Sequence, residues 1–157
     1  MATVGQPLPA FSVTAAVSGR VLSPALFAGR GVLIVHGAKT ADAAKEVSKA
    51  VRTKFPKTSD CALASIVDLR VFAGLWKKVA EAQLKSTYEK LAAKATEAGL
   101  DPAEQILIGA DWDGSAAAAL GVAKPDEAPA VLVVKGGKLA GVATGADLAA
   151  QTLRLLG

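Results

Sequence analysis

The sequence has few of the residue types that carry redox, metal or stacking chemistry. It contains one cysteine, Cys61, and one histidine, His36. One cysteine excludes an intramolecular disulfide and a four-cysteine metal site, and one histidine excludes a histidine-rich metal cluster. Aromatic residues make up only 4% of the chain, too few to stack on several bases. We therefore expect no metal, no cofactor and no nucleic-acid partner.

Long apolar runs are also missing. None reaches the ~18 residues that a membrane span needs, and residues 1–5 lack the basic and apolar regions of a signal peptide. We therefore expect a cytoplasmic location and no membrane partner. The length of 157 residues predicts a single domain over 1–157. The net charge of +4 is spread over interleaved acidic and basic residues, which is typical of a solvated surface.

Apolar periodicity predicts alternating strands and helices. The runs at 31–36 and 61–67 predict buried parallel strands, joined by a helix that Thr40 caps and Pro56 ends. A long helix with Phe72 and Trp76 at the start of its apolar face then runs to Gly99, and we expect Trp76 to pack between this helix and the sheet. Trp112 lies in a predicted turn, where we expect it to be exposed.

The outer segments complete an α/β pattern. We expect an N-terminal hairpin at 11–16 and 20–22, a short helix from Ser23-Pro24, and strands at 105–109, 130–135 and 138–143. Gly136-Gly137 is a strong hairpin signal between the last two strands, and a helix at 147–156 closes the chain. This order predicts a mixed central sheet flanked by helices.

That order resembles the thioredoxin-like superfamily, in the version with an N-terminal β-hairpin found in peroxiredoxins (thiol-specific antioxidant proteins) and thiol-disulfide redoxins. Four segments carry the resemblance: GQPLPAFSV at 5–13, SPALFAGR at 23–30, DWDGSAAAALGV at 111–122 and EAPAVLVVKGGK at 127–138. The resemblance implies the thioredoxin-like fold over nearly the whole chain. It also implies that Pro129 is the cis-proline of that fold, whose backbone edge pairs with an extended peptide.

The sequence departs from the family where the reactive cysteine is expected. In peroxiredoxins a Thr-x-x-Cys motif stands at a helix N-terminus, which stabilises the thiolate. Here the segment 40–46 reads TADAAKE: Thr40 and Lys45-Glu46 fit the motif, but Ala43 stands in the place of the cysteine. The degenerate site is therefore Thr40 and Ala43. A cysteine replaced by alanine through engineering would give the same sequence.

The candidate binding residues follow the predicted strands at the edge where both strands end. They are His36, Lys39, Thr40, Asp68, Arg70 and Pro129. His36 is either a strand-end histidine bonded to a neighbour or a general base or ligand contact. Asp68 and Arg70 form either a surface ion pair or, with His36 and Lys39, a site for a small anion. Cys61 should lie at the opposite edge, as a small buried side chain or as a reactive thiol.

Three functions are compatible with this pattern. The leading hypothesis is a redox-inactive thioredoxin-fold protein that binds a protein, a peptide or a small molecule at the former active face. The alternative is an antioxidant thiol oxidoreductase that uses Cys61 or a cysteine replaced by Ala43. The third is an oligomer-forming protein, such as a homodimer, that packs through alanine-rich faces at 92–93 and 116–119.

Overall fold

The computed structural model describes residues 2–72 and 74–157. They form a five-stranded mixed sheet flanked by helices and an N-terminal two-stranded hairpin. The strands are β1 (Val13–Thr14), β2 (Val21–Leu22), β3 (Gly31–Gly37), β4 (Ala62–Asp68), β5 (Leu107–Asp111), β6 (Ala130–Lys135) and β7 (Lys138–Thr144). The α-helices are α1 (Ala41–Lys54), α2 (Lys77–Glu97), α3 (Pro102–Gln105), α4 (Ser115–Ala119) and α5 (Leu148–Leu156).

The sheet has the strand order β5-β4-β3-β6-β7. β3, β4 and β5 run parallel, whereas β6 runs antiparallel to β3 and to β7. The predicted mixed sheet is therefore confirmed. The hairpin of β1 and β2 is joined to the sheet by an antiparallel bridge between Ala15 and Gly109.

β3 is buried along its whole length because a separate apolar core covers each of its faces. Val32 and Ile34 belong to the core that α1 and α5 cover. Leu33 and Val35 belong to the core formed with the N-terminal hairpin, Phe27 and α4. Burying each such side chain contributes about 1.5–3 kcal/mol, so the continuous apolar run is itself the reason that this strand is central.

The C-terminal elements agree with the sequence-based predictions. Gly136 and Gly137 have φ angles of 61° and 77°, the left-handed pair that a tight two-residue hairpin turn needs. α5 lies within the predicted range 147–156 and buries Leu148, Thr152 and Leu156 at helical spacing. The Thr152 hydroxyl donates to the Leu148 carbonyl at 2.7 Å, so its polar group is satisfied inside the core.

The long helix α2 differs from its prediction. It begins at Lys77, after short 3₁₀ turns at Arg70–Phe72 and Gly74–Trp76, and the predicted helical position 73 lies outside the described residues. Only Ala80 and Ala95 of this helix are buried, because small residues form its contact with the rest of the protein. The prediction that Trp76 packs against the sheet is therefore wrong.

Trp112 has the packing role that the sequence suggested for Trp76. It is half-buried and packs against a small core of Val67, Leu69 and Ala80. The Lys77 ammonium lies 4.9 Å from the centre of its indole ring, within cation–π range. The prediction that Trp112 is exposed is thus also wrong, because its turn folds against the start of α2. No helix in the described residues is long and apolar enough to cross a bilayer.

Candidate functional site

Three neighbouring strands end together at one edge of the sheet. Gly37 pairs with Asp68, and Asp68 pairs with Asp111, so the last residues of β3, β4 and β5 lie side by side. On the other side of β3, Val35 pairs with Ala130, which places Pro129 next to the end of the same strand. The structure therefore brings His36, Asp68 and Pro129 to one edge, which we call the carboxyl edge.

His36 is a buried histidine at the end of β3. Its Nδ1 lies 2.9 Å from the Gly37 carbonyl oxygen, so Nδ1 carries the proton and donates, and Nε2 is the acceptor of the ring. Burial lowers the pKa of His36, although the Gly37 carbonyl and the charge of Asp126 act in the opposite direction. His36 is thus a neutral, hydrogen-bonded side chain at neutral pH.

Residues 123–129, here called the strap, cover the turn between β3 and α1. The Lys39 amide donates to Asp126 Oδ1 at 2.7 Å. The Thr40 hydroxyl accepts from the Gly37 amide at 2.9 Å and donates to the Pro125 carbonyl at 2.8 Å. Thr40 occupies the N-cap position of α1, but its side chain does not cap that helix because these two bonds engage it.

Gly37 is the residue against which the strap packs most tightly. A Cβ atom at this position would lie 2.6 Å from the Asp126 Cα and would collide with the Asp126 side chain as well. Only glycine allows the two backbones to approach so closely. The strap is therefore part of the packed structure of the carboxyl edge.

Asp68 and Arg70 form an ion pair with two parallel contacts. Arg70 Nη2 lies 2.8 Å from Asp68 Oδ2, and Arg70 Nε donates to Asp68 Oδ1 at 3.0 Å. These bonds hold the pKa of Asp68 below its ordinary value. Arg70 Nη2 also donates to the Ala123 carbonyl at 3.2 Å, which fixes the start of the strap. The ion-pair interpretation therefore describes these two residues.

The sequence analysis missed two acidic residues of this edge. Asp111 is buried at the end of β5 and accepts from the amides of Ala116 and Ala117, and burial raises its pKa. Asp111 lies three positions before Gly114, the N-cap of α4, so the usual capping pattern does not identify it. Asp126 has no local signal either, because its partner Lys39 is 87 positions away in the sequence.

The predicted cis peptide bond at Pro129 is wrong, since the described residues contain no cis bond. The strap reverses direction earlier, in a turn where the amides of Glu127 and Ala128 both donate to the Lys124 carbonyl. The chain is therefore already aligned with β6 when it reaches Pro129. A trans bond is sufficient there.

Neither position considered for thiol chemistry is a reactive thiol in the structure. Ala43 lies in the first turn of α1, half-buried against the core between α1 and α5. Cys61 is fully buried next to Ala62, which pairs with Gly31 at the opposite end of β3. Burial raises the pKa of the Cys61 thiol, the reverse of the shift that activates a nucleophilic cysteine.

Solved structures show the same architecture. A putative thiol:disulfide interchange protein DsbE from Chlorobium tepidum matches with a TM-score of 0.64 and 17% identity, over 100% of both chains. A putative protein disulfide isomerase from Bacteroides thetaiotaomicron gives 0.62 and 16%, over 98% of this chain and 87% of that one. The exposed lipoprotein thioredoxin Etrx1 from Streptococcus pneumoniae gives 0.62 and 15%, over 94% and 97%.

These similarities define the class of the protein by its fold. The chain has the thioredoxin-like fold, with the N-terminal hairpin and the mixed sheet that the sequence predicted. It holds only one cysteine and so lacks the cysteine pair of a dithiol site. No family model and no curated protein matches its sequence.

Proposed function

We propose that this chain is a redox-inactive thioredoxin-fold protein that acts by binding a peptide or a small molecule at the carboxyl edge. The observation that carries this proposal is the position of its one thiol. Cys61 is buried at the far end of β3, whereas the carboxyl edge holds a buried histidine, a partly exposed ion pair and the exposed Lys39. Such groups recognise ligands by hydrogen bonding and charge and do not exchange disulfides.

Lys39 is the exposed charge at this edge that favours an acidic ligand. Its side chain is exposed at the β3–α1 turn and forms no salt bridge within residues 2–72 and 74–157, whereas the Lys124 ammonium lies 4.0 Å from the Glu127 carboxylate and Arg70 pairs with Asp68. Asp126 already satisfies the Lys39 amide, so a ligand has to bind over the strap or displace it. An extended peptide could pair a carboxylate side chain with Lys39 and lie along the exposed part of the strap.

The similar structures are described as thiol-disulfide proteins, and an activity of that kind needs a reactive thiol. An antioxidant or oxidoreductase function that uses Cys61 is therefore the alternative that the experiment has to exclude. A cytoplasmic location, the absence of a nucleic-acid partner and a homodimeric state stay predictions from the sequence.

The test measures binding and redox activity on the same preparations. An array of extended acidic, neutral and basic peptides identifies a ligand, whose affinity is then measured for the wild type and for Lys39→Ala, with Lys138→Ala on β7 as the matched control. We expect acidic peptides to bind, and Lys39→Ala to lose affinity several-fold while Lys138→Ala retains it. Peroxide consumption or insulin reduction that disappears in Cys61→Ser would overturn the proposal.

A further inference from the structure

Four large apolar side chains are exposed on the surface in the segment that connects β4 to α2 and in the first turn of α2. Val71 is 66% exposed, Leu75 96%, Trp76 64% and Val79 55%. We call these four residues the apolar knob. Several large apolar side chains exposed so close together in the sequence are typical of a site of interaction with a protein or a membrane.

The shape of the knob limits what it can contact. A side chain that is 96% exposed, as Leu75 is, touches almost nothing in its own chain and therefore projects outward. Val71 lies on the 3₁₀ turn Arg70–Phe72, Leu75 and Trp76 lie on the 3₁₀ turn Gly74–Trp76, and Val79 lies on the first turn of α2. These side chains thus project from the protein surface instead of lining a groove.

The charges next to the knob are basic. Lys77 and Lys78 directly follow Trp76, and within residues 2–72 and 74–157 neither of them forms a salt bridge. The Lys77 ammonium lies over the Trp112 ring, beside the start of α2. Leucine and tryptophan beside uncompensated lysines suit the headgroup region of an anionic bilayer.

We propose that the apolar knob binds the surface of membranes containing anionic phospholipid, with Leu75 and Trp76 inserted among the headgroups and Lys77 and Lys78 against the lipid phosphates. A second copy of the chain is a poorer occupant, because a symmetric contact would bring both lysine pairs together. The sequence-based expectation of no membrane partner rested on the length of apolar runs. That argument concerns only segments that span the bilayer.

Vesicle binding of the full chain tests this proposal independently of the carboxyl edge. Co-sedimentation compares vesicles of phosphatidylcholine alone with vesicles that also contain phosphatidylserine. The chain has two tryptophans, so Trp112→Phe leaves Trp76 as the only indole reporter. We expect binding to the phosphatidylserine vesicles only, with a blue shift of the Trp76 emission.

Substitutions separate the contribution of the apolar side chains to vesicle binding from that of the lysine charges. Leu75→Ser should weaken vesicle binding about tenfold. Lys78→Glu should weaken vesicle binding about fivefold or more. Added salt should weaken vesicle binding as well. Leu91→Ser, at an exposed leucine in α2 outside the knob, is the matched control and should leave binding unchanged.

Two outcomes would overturn the proposal. One is equal binding of the wild type and Leu75→Ser, or the absence of binding to either vesicle type. The other is an oligomer in light scattering that Leu75→Ser dissociates, which would assign the knob to a protein contact. Circular dichroism of each variant shows whether it is folded, and the exposure of the substituted side chains favours retention of the fold.

Discussion

Asp126 and Lys39 are joined by a hydrogen bond of 2.7 Å from the Lys39 amide to Asp126 Oδ1. This bond places a carboxylate of the chain itself beside the turn that leads into α1. The adjacent bond from the Thr40 hydroxyl to the Pro125 carbonyl fastens the same strap. The carboxyl edge is therefore closed by intramolecular contacts.

The first prediction concerns the strength of this closure. Asp126→Ala removes the acceptor of the Lys39 amide and should lower the free energy of unfolding by about 1 kcal/mol. Urea denaturation measures the loss, and hydrogen exchange at the Lys39 amide should become faster. Glu127→Ala, at the exposed neighbouring residue of the strap, should stay within about 0.5 kcal/mol of the wild type. Unchanged exchange at Lys39 in Asp126→Ala would show that the bond does not hold the strap.

The second prediction uses the close approach of the strap to β3. A Cβ at position 37 would lie 2.6 Å from the Asp126 Cα, so Gly37→Ala has to displace the strap. The expected cost in unfolding free energy is about 1–3 kcal/mol, as for other overpacked sites.

Gly29→Ala is the matched control for that substitution, because a Cβ at position 29 has no neighbour within 4 Å. Thermal unfolding of both variants provides the comparison. Equal stabilities would contradict the packing of the strap against β3.

The elements that could be predicted from the sequence are those whose apolar pattern is sufficient to identify them as a strand or a helix. β3, β6, β7 and α5 each have an uninterrupted or strictly periodic apolar pattern, and each lies where it was expected. α2 has enough apolar residues for several helical faces, so periodicity could not identify Ala80 as the contact. Only the tertiary structure shows that small residues face the sheet there.

The sequence predicted several of the residues that lie at the carboxyl edge, but it did not predict the contacts that the strap makes there. Parallel strands 31–36 and 61–67 require that His36 and Asp68 meet at one edge, and they do. The strap could not be predicted, because the bonds from Lys39 and Thr40 connect residues more than 80 positions apart. Thr40 has the sequence context of a helix cap, and a competing tertiary bond determines its role.

The third prediction concerns acid stability. Because burial lowers the pKa of His36 from 6.5, the unfolded chain binds more protons than the folded chain as the pH falls below 6.5. The folded state should therefore lose stability on acidification through that range, before carboxylates with ordinary pKa values near 3.8 titrate. His36 is the only histidine, so His36→Phe should remove this part of the pH dependence. An equally steep dependence in the variant would assign it to other groups.

The last prediction concerns the reactivity of the one thiol. Cys61 is fully buried and its pKa is raised from 9.0, so the native protein should not react with a thiol reagent such as dithionitrobenzoate. Labelling should occur only on unfolding, at a rate that follows the free energy of global opening. Above pH 9.0 stability should fall, because the unfolded chain releases this proton and the folded chain retains it.

A double variant, Ala43→Cys in a Cys61→Ala background, is the matched control for this thiol. It places the sulfur in the half-buried first turn of α1, where the helix N-terminus favours the thiolate. This protein should be labelled promptly in its native state, at a pH where the wild type is inert. Rapid labelling of native wild type would show instead that Cys61 is accessible, and the redox-inactive assignment would then lose the observation on which it depends.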